Sequence, residues 1–348
     1  MIRCRMRGTG AVLVLLLLAA NQVGSAAYFS WSRYAKKPDE WFRSEEGRRI
    51  AANLLSHQSD HGGWPTDIDT SAAPATKRPS QIRGTFDDGA TTNELRFLAR
   101  SWQVTQDPVE HAAFLKGLDL ILDAQYPNGG WPQSFPSGTK YPRYITFNDN
   151  AMVNILELLR DVAESPQFAF VDGNRRSRAR KAFQAGIGCI LMCQVVVDGK
   201  KTVWCAQHDE VTLKPRPART FELESLSGAE SARVLRLLMS LEDPSGEVVQ
   251  AVEAGVKWFD AVKLTGIKEV TVNGDKRIVQ DASAPPLWAR FYELGTHRPI
   301  FAGRDGVKKY DLAEIEPERR NGYAWYVSSG QDVARDYARW SARRAGNP

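Results

Sequence analysis

The chain has 348 residues, 43% hydrophobic and 25% charged, which is an ordinary balance for a globular protein. Its 18 prolines and 27 glycines are spread along the sequence, which excludes a collagen-like or long low-complexity tract. A net charge of +5 without runs of Lys or Arg does not favour binding to nucleic acid. An acidic polysaccharide is a natural partner for a basic protein outside the cell, although the same charge also serves solubility.

The first residues have the pattern of a signal peptide. Three arginines within residues 3–7 precede an apolar run at 11–20, and small residues at 24–27 offer a cleavage site. The apolar run is short for a membrane span, so an uncleaved anchor is the less favoured alternative. We expect residues 1–26 to be the signal peptide and 27–348 a single domain with its core at about 45–330. The mature protein should be secreted, monomeric and without stable membrane association.

The cysteines do not predict a disulfide framework. Cys4 leaves with the signal peptide, and Cys189, Cys193 and Cys205 remain. Cys189 and Cys193 are four residues apart on a predicted helix, where a disulfide is geometrically difficult. An odd number without CxxC spacing also argues against structural zinc. We expect core thiols, with at most one bridge to Cys205.

A motif repeats along the chain. Gly62-Gly63-Trp64-Pro65 recurs as Gly129-Gly130-Trp131-Pro132, and a glutamine precedes each tryptophan by six residues. A third, degenerate copy runs from Gln194 through Gly199 to Trp204. A segment with helical apolar spacing precedes each copy, and a loop and a second helical segment follow it. The tryptophans could stack on a sugar, but packing is the more common role of a repeated loop tryptophan.

The predicted elements follow this repeat in chain order. Helices precede each copy around 50–55, 114–122 and 183–191; second helices lie around 95–98, 152–159 and 234–238, and another helix covers 248–262. Glu269–Val279 predicts a hairpin around Asn273-Gly274, and the remainder is mixed loop and short helix. Units of this kind cannot bury their apolar faces alone. The sequence therefore predicts an all-α fold, an (α/α)3 toroid with long loops and a few short strands; a linear solenoid is the alternative.

Two polar segments open the second helices of the first two units. They are Thr85–Thr92, with Asp87 and Asp88, and Thr146–Met152, with Asn148 and Asp149. The repeat should bring these segments together, and carboxylates with amide oxygens suit a hard cation such as calcium. Asp and Asn are also preferred helix N-caps, which is the structural alternative for either segment alone. Their equivalent positions in the repeat favour a functional role.

Arginines and aromatic residues occupy the polar loops of the C-terminal half. Arg219, Arg304 and the pair Arg319-Arg320 could bind the carboxylates of a uronic acid chain bidentately, or could form ordinary surface ion pairs. Tyr323, Trp325 and Tyr326 could stack on sugar rings. His208 is as compatible with a structural role as with a site.

Taken together, these segments resemble the family 10 polysaccharide lyases, which are pectate lyases. The similarity covers about residues 45–330, and the matching motifs occur in the same order: 129–133, 145–149, 204–209, 217–219, 225–231 and 304–306. The resemblance implies an (α/α)3 toroid and calcium-assisted β-elimination on α-1,4-polygalacturonate, which gives 4,5-unsaturated products.

The resemblance also implies a role for individual residues. Asp87 and Asp149 would bind calcium, Arg219 would be the catalytic base, and Arg304 with Arg319 or Arg320 would bind substrate carboxylates; Asn148 and His208 are further candidates for substrate binding. Asp88 departs from the family pattern, which has Asn there, so it is either an additional ligand or points away.

Two other functions remain open at this point. A glycoside hydrolase on a helical toroid would use Asp87 and Asp149 as its two carboxylates and need no metal. A non-catalytic protein could bind acidic polysaccharide through the same aromatic residues and arginines.

Arginine is an unusual catalytic base because it is normally always protonated. Either neighbouring cations lower its pKa, or the enzyme works best in alkali.

Overall fold

A computed structural model of the protein describes residues 28–346; the predicted signal peptide therefore lies outside the described residues. The α-helices are α1 Asp39–Arg43, α2 Glu45–Ser56, α3 Thr92–Thr105, α4 Pro108–Asp123, α5 Ala151–Glu164, α6 Gly173–Cys193, α7 Glu230–Met239, α8 Gly246–Ala261, α9 Pro317–Asn321 and α10 Ser329–Ala345. Within the described part of the chain, no helix is long and apolar enough to cross a membrane.

The strands are short and lie in the connections between helices. They are β1 Ile145–Thr146, β2 Val196–Val197, β3 Lys200–Lys201, β4 Gln207–His208, β5 Pro215–Arg216, β6 Leu226–Ser227, β7 Ile267–Val272, β8 Asp275–Gln280, β9 Trp288–Ala289, β10 Phe291–Tyr292, β11 Phe301–Ala302, β12 Lys308–Lys309 and β13 Tyr326–Val327. One sheet has three strands in the order β1-β4-β5, and the other pairings, all antiparallel, are β10-β6, β11-β12, β13-β9, β2-β3 and β7-β8.

The helices of the repeats form two layers. The second helices α3, α5 and α7 contact one another in sequence order, and α2, α4, α6 and α8 form the layer packed against them. N-caps fix where several of these helices begin: the side chains of Ser44, Asp107, Asp172 and Ser245 each accept a backbone N–H of the first turn. The buried faces of both layers form one hydrophobic core, and α10 covers α7 and α8.

The prediction of an all-α fold, an (α/α)3 toroid, is wrong. The structure is 47% helical and 12% strand, and its strands form several small sheets. The connections carry buried backbone, whose N–H and C=O groups need partners away from water. Pairs of two-residue strands provide those partners, and such strands are too short to show the alternation by which sequence predicts a strand.

The repeated glutamine and tryptophan have the same contacts in all three copies. The indole Nε1 of Trp64, Trp131 and Trp204 donates to the carbonyls of Leu54, Ile121 and Ile190, at 2.7, 2.8 and 2.7 Å. These carbonyls belong to the last turns of α2, α4 and α6, where the regular i+4 N–H donors of a helix end. The carbonyl of Leu54 also accepts the N–H of His57. All three tryptophan side chains are fully buried. The three tryptophans therefore have the more common role, which is packing, and they also cap the ends of the preceding helices.

Each repeated glutamine joins its own loop to the following unit. The Nε2 of Gln58 donates to Gly62 and to Ala113 on α4; the equivalent glutamines are Gln125, which reaches Gly129 and Ala182 on α6, and Gln194, which reaches Thr202 and Ala251 on α8. The distances lie between 2.8 and 3.0 Å. We call each glutamine and tryptophan pair a Gln–Trp clamp.

The glycine pair in the first two copies is required by close approach of backbone. Gly62 and Gly129 have φ of +102° and +89°, and a Cβ on either would lie 2.6 or 2.2 Å from a carbonyl oxygen of α4 or α6. Glycine is favoured at positive φ because other residues are strained there. The clamp loops therefore lie directly on the neighbouring helix.

Two further predictions are confirmed. Strands β7 and β8 form the predicted hairpin, with Asn273 and Gly274 at φ of +51° and +78° in its turn. Cys189, Cys193 and Cys205 are buried and free, as expected for core thiols.

Candidate functional site

The clamps place three polar segments side by side. The backbone carbonyl of each clamp tryptophan accepts the N–H of the residue that begins the polar segment: Thr85 at 2.9 Å, Thr146 at 3.1 Å and Ser227 at 2.8 Å. Each segment then leads within a few residues into α3, α5 or α7. Because these helices are neighbours, their first residues lie close together, and the candidate site is at this end of the layer.

Three aspartates meet there. Asp87, Asp88 and Asp149 each offer a carboxylate oxygen within 4.8 Å of the others, as the sequence predicted. Asp88 and Asp149 occupy equivalent positions in the repeat and share the same left-handed backbone, with φ of +48° in both. Aspartate tolerates this conformation better than most residues, and such strain is often found at functional sites. Asp87 in turn is equivalent to Asn148.

The three carboxylates of the triad repel one another, and burial adds to the cost of their negative charge. Burial, together with repulsion from Asp149 and Asp88, raises the pKa of Asp87 to about 7. Burial and Asp149 also raise the pKa of Asp88. The Oδ1 of Asp87 is buried without a hydrogen-bond partner among the described residues. Clustered carboxylates with an unused oxygen, and no His or Cys among them, fit a hard cation such as calcium.

Arg290 is the main site residue that the sequence analysis missed. Its Nη2 lies 3.3 Å from Oδ1 of Asn148 and 3.4 Å from Oδ1 of Asp149, and it also forms an ion pair with the buried Glu230. Burial opposes the charge on Arg290, but Glu230, Tyr323 and the nearby Asp149 and Glu222 together hold its pKa above the usual range. Asn148 donates to Asp149 and is thereby held between the triad and this arginine. A single charge within the aromatic segment 288–292 was the available signal.

Three predicted arginines converge on one aromatic ring. The guanidinium carbons of Arg219, Arg304 and Arg319 lie 4.9, 5.5 and 4.5 Å from the ring centre of Phe221. Tyr323 extends this surface toward the triad, since Arg290 lies 4.7 Å from its ring centre. Arginine stacks favourably on aromatic faces and keeps donors free at its edge. The site therefore has an acidic side, formed by the triad, and a cationic side beside it.

Glu222 controls the charge of Arg219. The Nε of Arg219 donates to Oε2 of Glu222 at 2.8 Å, and Nη2 donates to Oε1. The same carboxylate accepts the hydroxyl of Tyr323 at 2.7 Å. The hydrogen bonds with Glu222 raise the pKa of Arg219 above its ordinary value. In this arrangement Arg219 is a cation.

Arg320 and His208 have structural surroundings instead. Arg320 donates to both oxygens of Asp275 at 2.8 Å and to two backbone carbonyls, so it joins α9 to β8. His208 is fully buried, its Nδ1 bonds with the carbonyl of Leu213 at 2.8 Å, and its Nε2 accepts the N–H of Cys205 at 3.1 Å. Burial lowers the pKa of His208 to about 4. Neither geometry leaves these side chains available to a substrate, and of the arginine pair only Arg319 belongs to the cationic side.

The aromatic residues predicted to stack on sugars are divided in the same way. Tyr323 lies in the site, whereas Trp325 is fully buried and donates its Nε1 to the carbonyl of Arg319 at 3.1 Å. Trp325 therefore positions the arginine rather than contacting solvent.

Comparison with known proteins agrees with this geometry. The family model for pectic acid lyase matches residues 58–334. A family 10 polysaccharide lyase from Cellvibrio cellulosa is 33% identical, with a TM-score of 0.78, and the match covers 91% of this chain and 99% of that one. A mutant of a family 10 polysaccharide lyase from the same organism, in complex with trigalacturonic acid, is also 33% identical, with a TM-score of 0.76 over 89% and 98% of the two chains.

Comparison with curated protein sequences gives no match. The family model and both structures nevertheless agree with the motifs read from the sequence, so the prediction of a lyase that acts on polysaccharides is confirmed. The chain belongs to the pectic acid lyase family.

Proposed function

We propose that the chain cleaves polygalacturonate by calcium-assisted β-elimination at the site between the triad and the arginines. The observation that carries this proposal is the placement of three carboxylates within 4.8 Å directly beside a group of guanidiniums. A substrate that is itself a polycarboxylate needs cations along its length, and the relative bound to trigalacturonic acid supports that substrate class.

Asp87, Asp88 and Asp149 would hold the calcium ion. The equivalence of Asp88 with Asp149 in the repeat, with the same φ of +48°, supports Asp88 as a ligand and not a bystander. When bound, the ion supplies Lewis-acid polarisation of the galacturonate carboxylate, which makes the C5 proton more acidic. Asn148 lies beside Asp149 and would contact either the ligands of the ion or the sugar.

The arginines would position the polymer. Arg304 is exposed on the Phe221 surface and would bind a substrate carboxylate directly, whereas Arg319 is buried beneath it and would orient the surface. Arg290, fixed by Glu230, lies beside the triad and would neutralise the charge that develops on the carboxylate of the reacting sugar.

Arg219 is the proposed base that removes the C5 proton. Since Glu222 raises its pKa, Arg219 acts as a base only when substrate binding has weakened this ion pair, and the rate should rise with pH. Glu222→Gln removes the anion that holds the proton on Arg219. It should move the pH dependence of kcat toward lower pH, and an unchanged pH profile would argue against Arg219 as the base.

Export of the protein is a further part of the proposal. It is supported by the signal-peptide pattern of residues 1–26 and by a substrate that is found outside the cell. Determining the N-terminal residue of the protein recovered from the medium or periplasm would test both export and cleavage near residue 26.

The function is tested by incubating the protein with polygalacturonate at alkaline pH and following the ultraviolet absorbance of the unsaturated product. A rise that a chelator suppresses supports the calcium-dependent lyase. New reducing ends without absorbance would identify a hydrolase, and binding without any product would identify a binding protein. Arg219→Ala should abolish product formation while binding to the polymer persists; a variant that retains a tenth of the activity would exclude Arg219 as the base.

A further inference from the structure

A second cationic and aromatic surface is formed around Tyr144, from arginines other than those that contact Phe221. The ring of Tyr144 is partly exposed, and the guanidinium carbons of Arg143 and Arg216 lie 5.5 and 5.9 Å from its centre. Each arginine is held by an acid: Arg143 by Glu210 at 3.1 Å and Arg216 by Asp209 at 2.8 Å. We call the side chains of Arg143, Tyr144 and Arg216 the Tyr144 platform.

The sheet β1-β4-β5 connects this platform to the reacting groups. Tyr144 immediately precedes β1, which leads to Asn148 and Asp149, and Arg216 ends β5, three residues before Arg219. Five residues separate Tyr144 from Asp149 and three separate Arg216 from Arg219, so at ~3.3 Å per residue these separations are at most about 17 and 10 Å. The platform is therefore close to the triad and to Arg219 without being part of either.

Tyr141 connects the platform to the charges of the site. Burial raises the pKa of the Tyr141 hydroxyl, and the charges of Arg219, Glu222 and Asp87 also act on it. Tyr141 belongs to the short helical turn Tyr141–Arg143 that directly precedes Tyr144. This turn therefore joins the platform to a residue that lies within electrostatic reach of Asp87 and Arg219.

The platform has unused binding capacity. Arg143 directs its Nε toward Glu210, and neither of its Nη groups has a hydrogen-bond partner among the described residues. Arg216 uses Nε and Nη2, which leaves its Nη1 without a partner in that part of the chain. The side chains of the two arginines are 40% and 44% exposed. An accessible aromatic ring with free guanidinium donors matches a sugar that carries a carboxylate: the ring stacks on the apolar face, and the donors bind the anion.

We propose that the Tyr144 platform is an additional subsite for a galacturonate unit of the same polymer, several units away from the bond that is cleaved. This inference rests on the proposed function, since it assumes a polyuronate chain that crosses the site. The platform would act only on substrates long enough to reach it. Its contribution would appear in the affinity for long chains and not in the chemistry at the triad.

The alternative is that these contacts only hold the turn 141–143 against the loop 209–216. The two cases differ in their dependence on substrate length. A loop that merely supports the site would alter short and long substrates alike, because any displacement reaches Asp149 or Arg219. A subsite alters the long substrate selectively.

The test compares Tyr144→Ala with the parent protein on trigalacturonate and on polygalacturonate. The ratio of KM for the polymer to KM for the trimer should rise about tenfold, as expected for loss of one stacking contact. Tyr144→Phe retains the ring and should keep the parent ratio. Tyr310→Ala is the matched control, because Tyr310 is also exposed beneath cations, with Arg298 at 3.9 Å and Lys308 at 5.9 Å, but lies outside this sheet.

An unchanged ratio in Tyr144→Ala would overturn the subsite, and so would an equal change in Tyr310→Ala. Calorimetric binding of trimer and hexamer to the same proteins in the absence of turnover keeps the two proposals separate. If the parent protein forms no unsaturated product but Tyr144→Ala loses affinity for the hexamer only, the lyase proposal fails and the subsite stands. If product forms and the two affinities change together, the subsite fails alone.

Discussion

Glu94 gives the protein a specific weakness in alkali. This carboxyl, in the first turn of α3, is 1% exposed. Its Oε1 accepts the hydroxyl of Thr70 at 3.0 Å, whereas Oε2 is buried without a partner among the described residues. Burial raises the pKa of Glu94 from 4.5 to about 8. The folded protein therefore binds a proton here over a pH range in which the unfolded chain does not.

The sign and size of the effect follow from this difference. Because the folded pKa lies above the unfolded one, the contribution of Glu94 is intact below about pH 4.5 and is lost as the pH rises through about 8. A difference of about 3.5 pKa units corresponds to about 5 kcal/mol in total. Between pH 5 and pH 9 the free energy of unfolding should fall by about 4 kcal/mol through this group.

Glu94→Gln removes the titration and keeps the shape of the side chain. Urea unfolding of both proteins at a series of pH values gives the difference in free energy of unfolding, in which all other titrating groups cancel. The free energy of unfolding of the variant should rise steadily, relative to that of the parent protein, between pH 5 and pH 9. It should also keep its activity longer in alkali, where the lyase is expected to work best.

Glu110→Gln is the control. Glu110 is also buried and its pKa is raised by burial, but both of its oxygens accept hydroxyl hydrogen bonds, from Ser101 and Thr105 at 2.9 Å, which stabilise the ionised form. Its pH-dependent effect should be smaller. Parallel stability profiles for Glu94→Gln and the parent protein would show that Glu94 ionises normally and would refute the reasoning.

Three other predictions address the metal, the substrate and the scaffold. Asp149→Asn should raise the calcium concentration for half-maximal activity at least about tenfold, because one of the three carboxylates is lost. Arg304→Ala should raise KM for polygalacturonate at an unchanged Tm, whereas Arg320→Ala should lower the free energy of unfolding by about 2 kcal/mol and leave KM unchanged; the opposite pattern would reverse their assignments. Gly129→Ala should destabilise by about 3 kcal/mol in urea unfolding, and Gly138→Ala, with positive φ but open space around it, by only about 1 kcal/mol; equal effects would contradict the close-approach argument.

The sequence could predict those parts of the molecule that depend on local pattern or on repetition. Apolar spacing indicated the helices, and the equivalence of the segments at 85–92 and 146–152 predicted that Asp87, Asp88 and Asp149 meet. A repeated unit that packs against its copies must place equivalent residues close together, so here spatial proximity could be read from the chain.

The remaining site residues depend on contacts that have no local pattern. Arg290 contacts Glu230 and Asn148, which are 60 and 142 residues away in the sequence, and no periodic pattern connects these positions. Adjacent residues on a helix differ by about 100° in direction, so Arg319 and Arg320 face different surroundings. Which of them faces the site is decided by Asp275 on a distant hairpin. The two-residue strands were missed for a related reason, since tertiary hydrogen bonding creates them.

The Gln–Trp clamps also affect how the protein unfolds. Gln58, Gln125 and Gln194 each bind the helix that begins the following unit, so the interactions run in one direction along the chain. No unit can detach without breaking the hydrogen bond from a glutamine side chain to its neighbour. The triad crosses the first of these boundaries, because Asp87 and Asp88 come from one unit and Asp149 from the next. Mechanical integrity and metal affinity are therefore thermodynamically coupled: a lesion that loosens the first boundary should be detected as weakened cation binding before the fold is lost.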